Sequence, residues 1–336
     1  MAKTIKEVAR KARVSVATVS RVLNNSPLVK ADTRRKVLKI VKELEYFPNV
    51  FARGLSKNKT EIIGLVVPSS PFLFSAYFFN EILRGVEFTV SSNNYKLLLN
   101  VEQSGFEENG VATLFDQRQV DGVIIVAMPL DALAKAGLKD KKFPLVLIAT
   151  HAPKFNCVYA DNINGAFSAT RHLIDLGHRR IAIINGVMNG SDGQERFKGY
   201  KKALLRSNIE YRQELVGVGN FRQEEAYKSM KDLLHLKPLP TAVFVANDLM
   251  AIGAMKAIRE KGLRIPKDIS IVGFDDIDLA TFVDPPLTTI RQPMFDIGRV
   301  AVENLITLID KKESKHTQRV LKTKLIIRES TAKCKK

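Results

Sequence analysis

Polar side chains follow several apolar runs in the second half of the sequence, where they could bind a small molecule. Asn247 and Asp248 end "TAVFVAND", Asp275 follows "ISIVGF", and Arg196 lies in "QERFKGY", which comes after "RIAIING". A carboxylate such as Asp275 can accept from two neighbouring hydroxyls, and Arg196 and Asn247 can donate to ring and hydroxyl oxygens. These residue types are suited to a hydroxyl-rich ligand.

Catalysis is the main competing function, and the usual motifs of enzymes are missing. The first apolar run is followed by "PSSPF" and not by G-x-G-x-x-G, and the sequence has no G-x-x-x-x-G-K-[ST], H-E-x-x-H or G-x-S-x-G. The glycines of "NGVMNGSDG" have the wrong spacing for a dinucleotide loop. We therefore expect no catalytic residues, metal or cofactor. The alternative is a sugar- or nucleoside-processing enzyme on an α/β fold.

Eight apolar runs alternate with helix-like stretches from residue 61 onward. They are "IIGLVV", "YKLLLNV", "DGVIIVA", "FPLVLIA", "RIAIING", "ELVGVGN", "TAVFVAND" and "ISIVGFDD". Such alternation predicts an α/β fold with parallel sheets buried on both faces. Ligands of such folds bind at the carboxyl ends of the strands, where the polar side chains above lie. Eight strands exceed one ordinary doubly wound domain, and 336 residues allow two or three domains.

Positive charge is concentrated at the N-terminus. The formal net charge is +18, and residues 1–60 hold fifteen Lys or Arg against four Asp or Glu, which leaves +11 in that segment. A basic segment of this kind indicates an acidic partner such as nucleic acid. A lysine-rich solvated surface remains the alternative from charge alone.

Three short helices are predicted in the basic segment. "TIKEVARKA" has Thr4 followed by Glu7, a capping-box spacing, and Ser15 can cap a second helix whose inward side is Val19, Val22 and Leu23. A three- to four-residue turn joins these two helices, as in a helix-turn-helix. A third helix starts near Asp32, with Val37, Ile40, Val41 and Leu44 at helical spacing.

The chain resembles the lactose-repressor/galactose-repressor family of bacterial transcription regulators. The resemblance rests on "TIKEVARKARVSVATVSRVLNN", "TRRKVLKIVKELEYFPN" and "ARGL", and it continues to "PPLTTIRQP" and "LIIREST". It implies a helix-turn-helix headpiece and hinge helix before a two-lobed domain of the periplasmic-binding-protein type. The headpiece is expected at residues 1–47, the hinge at 48–60 and a basic tail at 331–336. The effector-binding and dimerisation domain is expected at residues 61–330. Its N-lobe comprises residues 61–160 and 292–320, and its C-lobe comprises residues 161–291 and 321–330.

In this family the second helix reads DNA, and the resemblance assigns base contacts to Val16, Ala17 and Arg21. A helix fits the major groove, Arg21 can donate to guanine O6 and N7, and the two small residues can offer methyl contacts. Packing of Val16 and Ala17 against neighbouring helices is the alternative. The residues expected to hold phosphates or to cap helices are Thr4, Ser15, Thr18, Ser20, Asn24 and Thr33.

Residues 49–59, "NVFARGLSKNK", match the family's hinge helix, which forms on DNA. The resemblance places Asn49, Ala52 and Leu55 at the DNA, with Leu55 as a wedge in the minor groove. Gly54 costs roughly 1 kcal/mol of helix stability relative to Ala. An ordinary linker, with Leu55 packed on the next domain, is the alternative.

The resemblance also implies the contacts of a small-molecule effector between the lobes. They are Phe78, Phe79, Asp161, Arg196, Asn247, Asp248, Asp275 and Met294. Asp248 and Asp276 can equally be helix caps, Phe78 can be core, and Asp161 can hold a crossing strand. After "LVLI", where many relatives have a pocket aspartate, this chain has Ala149, Thr150 and His151. His151 is more easily explained as a surface or satisfied loop histidine than as an effector ligand.

The partners and the compartment follow from the same features. The resemblance implies a homodimer on a palindromic operator and an effector, most simply a sugar, whose identity and sign of action stay open. Two cysteines suit a reducing compartment, and "MAKTIKEVARKA" has no apolar signal region. We expect a cytoplasmic protein without a membrane partner.

Overall fold

The computed structural model of the protein describes residues 4–24, 26–46, 59–69, 77–102, 110–136, 138, 143–311 and 316–335. The hinge residues predicted from the sequence, Asn49, Ala52 and Leu55, lie outside these ranges. The chain forms two compact units, residues 1–61 and 62–336.

The first unit contains three helices, α1 (Ile5–Ala12), α2 (Val16–Leu23) and α3 (Ala31–Glu43). The predicted caps are present, because Thr4 and Glu7 form a reciprocal capping box and the Ser15 hydroxyl accepts from the amide of Thr18. Arg13 ends α1 in the left-handed region, with φ of 54°, and this single residue starts the tight turn into α2.

A small apolar core holds the three helices together. It consists of Val8, Ala9, Ala12, Val19, Val22, Val37 and Ile40, with Leu23, Val41 and Leu44 packed at its margin. Since the inward side of α2 is occupied by Val19 and Val22, its other side is left to solvent within this unit.

The second unit is an α/β structure. Its strands are β1 (Ile62–Pro68), β2 (Lys96–Glu102), β3 (Gly122–Val126), β4 (Leu145–Ile148), β5 (Asn156–Ala160), β6 (Ile181–Asn185), β7 (Val216–Val218), β8 (Ala242–Val245), β9 (Ser270–Val272), β10 (Thr289–Arg291), β11 (Gln318–Leu321) and β12 (Lys324–Ile326). Its helices are α4 (Tyr77–Ser92), α5 (Gly110–Asp116), α6 (Leu130–Lys135), α7 (Asn162–Asp175), α8 (Ser191–Arg206), α9 (Gln223–Leu233), α10 (Asp248–Glu260), α11 (Leu279–Phe282) and α12 (Met294–Lys311).

Two parallel sheets organise these elements into two lobes. The first sheet has the order β11-β5-β4-β3-β1-β2, and the second has the order β7-β6-β8-β9. Apolar clusters cover both faces of each sheet, as expected for parallel strands. The eight apolar runs of the sequence are β1–β4 and β6–β9, which confirms those predictions. The four remaining strands, β5 and β10–β12, have five residues or fewer and were not predicted as strands.

Short segments connect the lobes and position the cleft between them. The chain leaves the first sheet after β5, and β10 pairs antiparallel with β12, with Ile290 opposite Leu325. The C-terminal residues 331–335, predicted as a basic tail, are bound to the second lobe: Ala332 donates to Ser270 Oγ and Cys334 donates to the Leu176 carbonyl.

Close packing of α7 against α8 sets the position of the polar residues described below. Gly199 of α8 faces the carbonyl of Ile163 on α7, and a Cβ at this glycine would collide with that carbonyl. The two helices therefore approach through a backbone contact. This brings the first residue of α7, Asn162, next to Arg196 of α8.

Candidate functional sites

The outward face of α2 is the candidate nucleic-acid interface. Val16 is 41% exposed, and Ala17 and Arg21 are also exposed. Arg21 forms no ion pair within the described residues, although acidic side chains occur elsewhere in this unit. An exposed guanidinium beside two small side chains fits base-edge contacts in a major groove.

Polar side chains around α2 already have structural roles. The hydroxyls of Ser15 and Thr18 lie 2.9 Å apart, and Ser20 Oγ accepts from Asn24 Nδ2 at 3.4 Å. Thr4 caps α1, and Thr33 is half-buried in the first turn of α3. A cap whose hydroxyl lies at a helix N-terminus can also face a phosphate. Their predicted phosphate contacts remain predictions.

Arg196 is the central side chain of the cleft between the lobes of the second unit. It is 2% exposed, and its Nε donates to Asn162 Oδ1 at 2.9 Å while its Nη1 donates to the Ala246 carbonyl. The guanidinium carbon lies 4.0 Å from the ring centroid of Phe274 and 5.6 Å from that of Phe221. The guanidinium is therefore fixed by two hydrogen bonds and by aromatic contacts.

Asp275 lies next to Arg196 in the second lobe. Its Oδ1 lies 3.7 Å from Arg196 Nη1 and accepts from Gln292 Nε2 at 2.6 Å. The residue has φ of 117°, a left-handed conformation that is rare for a side chain of this kind. Backbone hydrogen bonds to the crossing strand hold it there, since the Asp275 amide donates to the Ile290 carbonyl. The segment of β10 and Gln292 thus fixes both the backbone and the carboxylate of Asp275.

Two further acidic side chains of α8 join this cluster. Asn162 Nδ2 donates to Asp192 Oδ1 at 2.9 Å and lies 3.3 Å from Glu195 Oε2. Glu195 Oε1 lies 2.8 Å from His151 Nδ1, and the His151 ring stacks on Tyr159 with centroids 4.8 Å apart. His151 follows β4 of the first lobe, so its contact with Glu195 links the two lobes. We call Asn162, Asp192, Glu195, Arg196, Asp275 and Gln292 the cleft cluster.

Burial changes the acidity of this cluster. Removal from water raises the pKa of both Asp192 and Asp275 to about 6, and the Arg196 guanidinium opposes this rise in each case. Both carboxylates are therefore mainly ionised at pH 7.5, at a cost to the folded state.

Several predicted effector residues hold the scaffold. Asp161 caps α7, accepting from the Asn164 amide and side chain, and Asn247 caps α10 through the Met250 amide. Asp248 is fully buried, and its two oxygens accept from Thr289 Oγ1 and the Ile277 amide. The prediction that Asp248 contacts a ligand is corrected, because its carboxylate is enclosed by protein donors.

The predicted aromatic cover is part of the scaffold of the first lobe. Phe79 is 2% exposed within the core of that lobe, and Phe78 packs at the margin of the same core, so their contacts with a ligand remain predictions. Met294 is nearly buried, but it contributes to a cavity of about 160 Å³ beside Asp275. The lining of this cavity is Tyr77, Glu81, Asp275, Asp276, Arg291, Gln292, Pro293, Met294, Phe295 and Asp296.

Sequence reasoning missed Asn162, Asp192, Glu195 and Gln292 as site residues. Glu195 and Gln292 lie within the strand-end motifs "QERFKGY" and "TTIRQP", so their position after strands was a usable signal. Asn162 gave no such signal, because it reaches the cleft as the first residue of α7 after an unpredicted strand. In the described part of the chain, no group of His, Cys, Asp or Glu side chains could hold a metal ion.

A substitution at Asp192 provides a pH-dependent test of this geometry. Because the folded-state pKa of Asp192 is raised from 3.8 to about 6, its ionisation lowers stability above pH 6, and this penalty fades as the pH falls through 6 toward 4. Asp192→Asn should therefore raise the free energy of unfolding at pH 7.5 by up to about 3 kcal/mol, with little gain at pH 4. Urea unfolding across this range measures the difference.

The exposed Asp175 on α7 offers the matched control. Its carboxylate pairs with Arg171 at the surface, so Asp175→Asn should change stability by only about 0.5 kcal/mol at any pH. If Asp192→Asn instead raised the free energy of unfolding by the same amount at pH 7.5 and at pH 4, the gain would not come from removing a buried charged carboxylate.

Comparison with known proteins matches both units. Residues 4–49 match a family described as bacterial regulatory proteins, lacI family, and residues 170–331 match a periplasmic binding protein-like domain. The HTH-type transcriptional repressor CytR of Escherichia coli strain K12 is 37% identical over 336 residues, covering 98% of this chain and 96% of the relative.

Solved structures give the same result. A lac repressor dimer bound to operator and the anti-inducer ONPF has a TM-score of 0.87 at 31% identity, covering 99% of this chain and 100% of that one. The transcriptional regulator CelR in complex with cellobiose has a TM-score of 0.75 at 34% identity, covering 98% and 99%. No helix in the described ranges is both long and apolar enough to cross a membrane.

Proposed function

This chain belongs to the LacI family of bacterial regulatory proteins. On that basis we propose that it binds a palindromic DNA operator as a homodimer. We also propose that a small-molecule effector, most simply a sugar, controls this binding. It is a transcriptional repressor by family, with a DNA-binding region ahead of an effector-binding domain. The observation that carries the proposal is the exposed α2 face of Val16, Ala17 and Arg21 within a three-helix core.

The DNA-binding half of the proposal uses residues 1–47 as the headpiece and 48–60 as a hinge. Arg21 donates to a guanine, Val16 and Ala17 contact base methyl groups, and Ser15, Thr18 and Ser20 lie toward phosphates. One small headpiece makes few base contacts, and a second one related by two-fold symmetry doubles them and requires a palindromic site. Because the proposed partner is operator DNA, the proposal includes activity in the bacterial cytoplasm.

The effector half of the proposal uses the cleft cluster. A ligand between the lobes accepts from Arg196 and donates to Asp275, and both residues are anchored by segments that connect the lobes. By linkage, the ligand changes operator affinity only through its preference for one arrangement of the lobes, typically by about 1 to 3 kcal/mol. The cellobiose complex of CelR supports a sugar as the first ligand class to test.

Enzymatic turnover is the competing activity, whereas the relatives named above are transcriptional regulators. In the cleft, the carboxylate of Asp275 and the guanidinium of Arg196 are each held by protein partners. This arrangement suits recognition of a ligand better than proton transfer, which needs a group free to exchange its proton with the substrate.

Selection of bound duplexes from a random pool, followed by footprinting, tests the proposal. The expected result is a symmetric protected site with two half-sites, bound by a dimer in sedimentation analysis. Addition of the correct sugar should then shift operator affinity about 5- to 150-fold in either direction. Turnover of a sugar or nucleoside, with no sequence-selective DNA binding, would support the enzyme instead.

A further inference from the structure

The charges around the cleft are unevenly balanced, and this imbalance limits what the effector can be. Three acidic side chains of the cleft cluster, Asp192, Glu195 and Asp275, surround a single permanent cation, Arg196. Glu195 Oε1 lies 2.8 Å from His151 Nδ1. Even when Glu195 and His151 are left out of the count, two carboxylates, Asp192 and Asp275, share one guanidinium, Arg196.

The hydrogen bonds of the two aspartates leave one oxygen of each available. Oδ1 of Asp192 accepts from Asn162, and Oδ1 of Asp275 accepts from Gln292, whereas neither Oδ2 has a hydrogen-bond donor in the described portion of the protein. Asp275 is nevertheless more than nine-tenths buried. An ionised carboxylate accepts hydrogen bonds only, so each Oδ2 is a site for a ligand donor.

Two arginines near the carboxyl ends of the strands are already paired. Arg222 after β7 lies 3.0 Å from Glu225, and Arg291 at the end of β10 lies 2.6 Å from Asp276. The cavity beside Asp275 adds Glu81 and Asp296 to its lining.

We infer that the effector of this protein carries no negative charge, and that it donates hydrogen bonds from two neighbouring groups to Asp192 and Asp275 while accepting one from Arg196. This inference rests on the proposed function, because it concerns the ligand of the same cleft. It selects unphosphorylated sugars, amino sugars and nucleosides, and it excludes sugar phosphates, nucleotides and sugar acids. Asp192 becomes a residue that determines specificity.

The physical reason is that a second anion would enter a site where buried carboxylates already lack full compensation. Two like charges about 4 Å apart repel strongly when water is partly excluded, and one guanidinium cannot offset two such repulsions. A phosphorylated ligand should therefore bind at least roughly a hundredfold more weakly than its uncharged parent. The uncharged parent compound meets no such repulsion, since its hydroxyls donate hydrogen bonds to the carboxylate oxygens.

Calorimetric titration of the full-length protein with matched pairs tests the inference. The probes are ribose and ribose 5-phosphate, glucose and glucose 6-phosphate, glucosamine, and adenosine and cytidine with their 5′-monophosphates. In the wild type, an uncharged or amino compound should bind and its phosphorylated partner should bind at least about a hundredfold more weakly. Asp192→Asn should narrow this ratio by about tenfold or more, and Asp175→Asn on the surface of α7 should leave it unchanged.

The outcomes separate the inference from the proposed function. A phosphorylated compound that binds as tightly as its parent and changes operator affinity would overturn the inference and leave the effector-controlled regulator intact. Binding of uncharged compounds with an unchanged ratio in Asp192→Asn would also overturn it. If no compound of the panel binds while operator binding persists, the sugar-responsive cleft itself is wrong, and the inference is overturned with it.

Discussion

Arg196→Ala should abolish the effector's influence on operator binding and lower the free energy of unfolding of the second unit by roughly 3 to 5 kcal/mol at pH 7.5. The guanidinium is almost completely buried, and its removal leaves Asn162 Oδ1 and the Ala246 carbonyl without their donor and Asp275 without its cation. Urea unfolding measures the stability, and anisotropy titrations of operator with and without effector measure the response.

The pH dependence of this loss identifies its cause. Arg196 holds down the pKa of Asp192 and Asp275, so without it both carboxylates should titrate at a higher pH. Because a protonated carboxylate needs no cation, the stability lost in Arg196→Ala should be smaller at pH 5 than at pH 7.5. Lost packing against Phe274 alone would give the same loss at both pH values.

Two variants control for general damage to α8. Arg206→Ala removes an exposed guanidinium at the end of the same helix and should cost less than about 1 kcal/mol. Arg196→Lys keeps the charge but cannot reproduce the planar fork, so it should recover part of the stability and little of the effector response. An intact effector response in Arg196→Ala would place the ligand elsewhere.

Local sequence signals predicted much of the scaffold. The capping box at Thr4 and Glu7 and the cap at Ser15 depend on residues within one helical turn, so their effect can be read without knowing the rest of the fold. Likewise, a continuous β-branched run such as "GVIIV" predicts a strand buried on both faces without knowledge of the strands beside it, and all five residues are buried. Such runs predict parallel sheets, whereas the arrangement in two lobes is implied by the resemblance to the family.

The cleft cluster could be predicted only in part. Arg196 and Asp275 follow strands, and that position marks them as candidates. Asp248 follows a strand equally closely, yet Thr289 and the Ile277 amide enclose it. Whether a strand-end carboxylate faces the cleft or the core depends on a segment 29 to 41 residues away in the chain. No local pattern carries that information, and the same holds for the contact of Asn162 with Asp192.

Arg21→Ala should weaken binding to the specific operator by roughly 1 to 3 kcal/mol and weaken binding to random DNA much less. Arg21 is the only long donor among the three proposed base-reading residues, and it is exposed on the face of α2 opposite Val19 and Val22. A bidentate contact with guanine O6 and N7 discriminates against other bases, whereas a phosphate contact contributes equally on every sequence. Competition titrations with operator and random duplexes at fixed salt measure both losses.

The salt dependence and the operator bases provide the control for this prediction. If Arg21 reads a guanine, replacing that base pair should weaken wild-type binding but hardly affect Arg21→Ala, because the discriminating contact is already gone. Lys36→Ala, an exposed cation on α3, should leave the discrimination between bases unchanged whatever it does to overall affinity. If Arg21→Ala loses the same affinity for operator and for random DNA, and its binding depends less on salt, Arg21 contacts a phosphate and not a base. Base discrimination by α2 would then depend on the methyl contacts of Val16 and Ala17 alone.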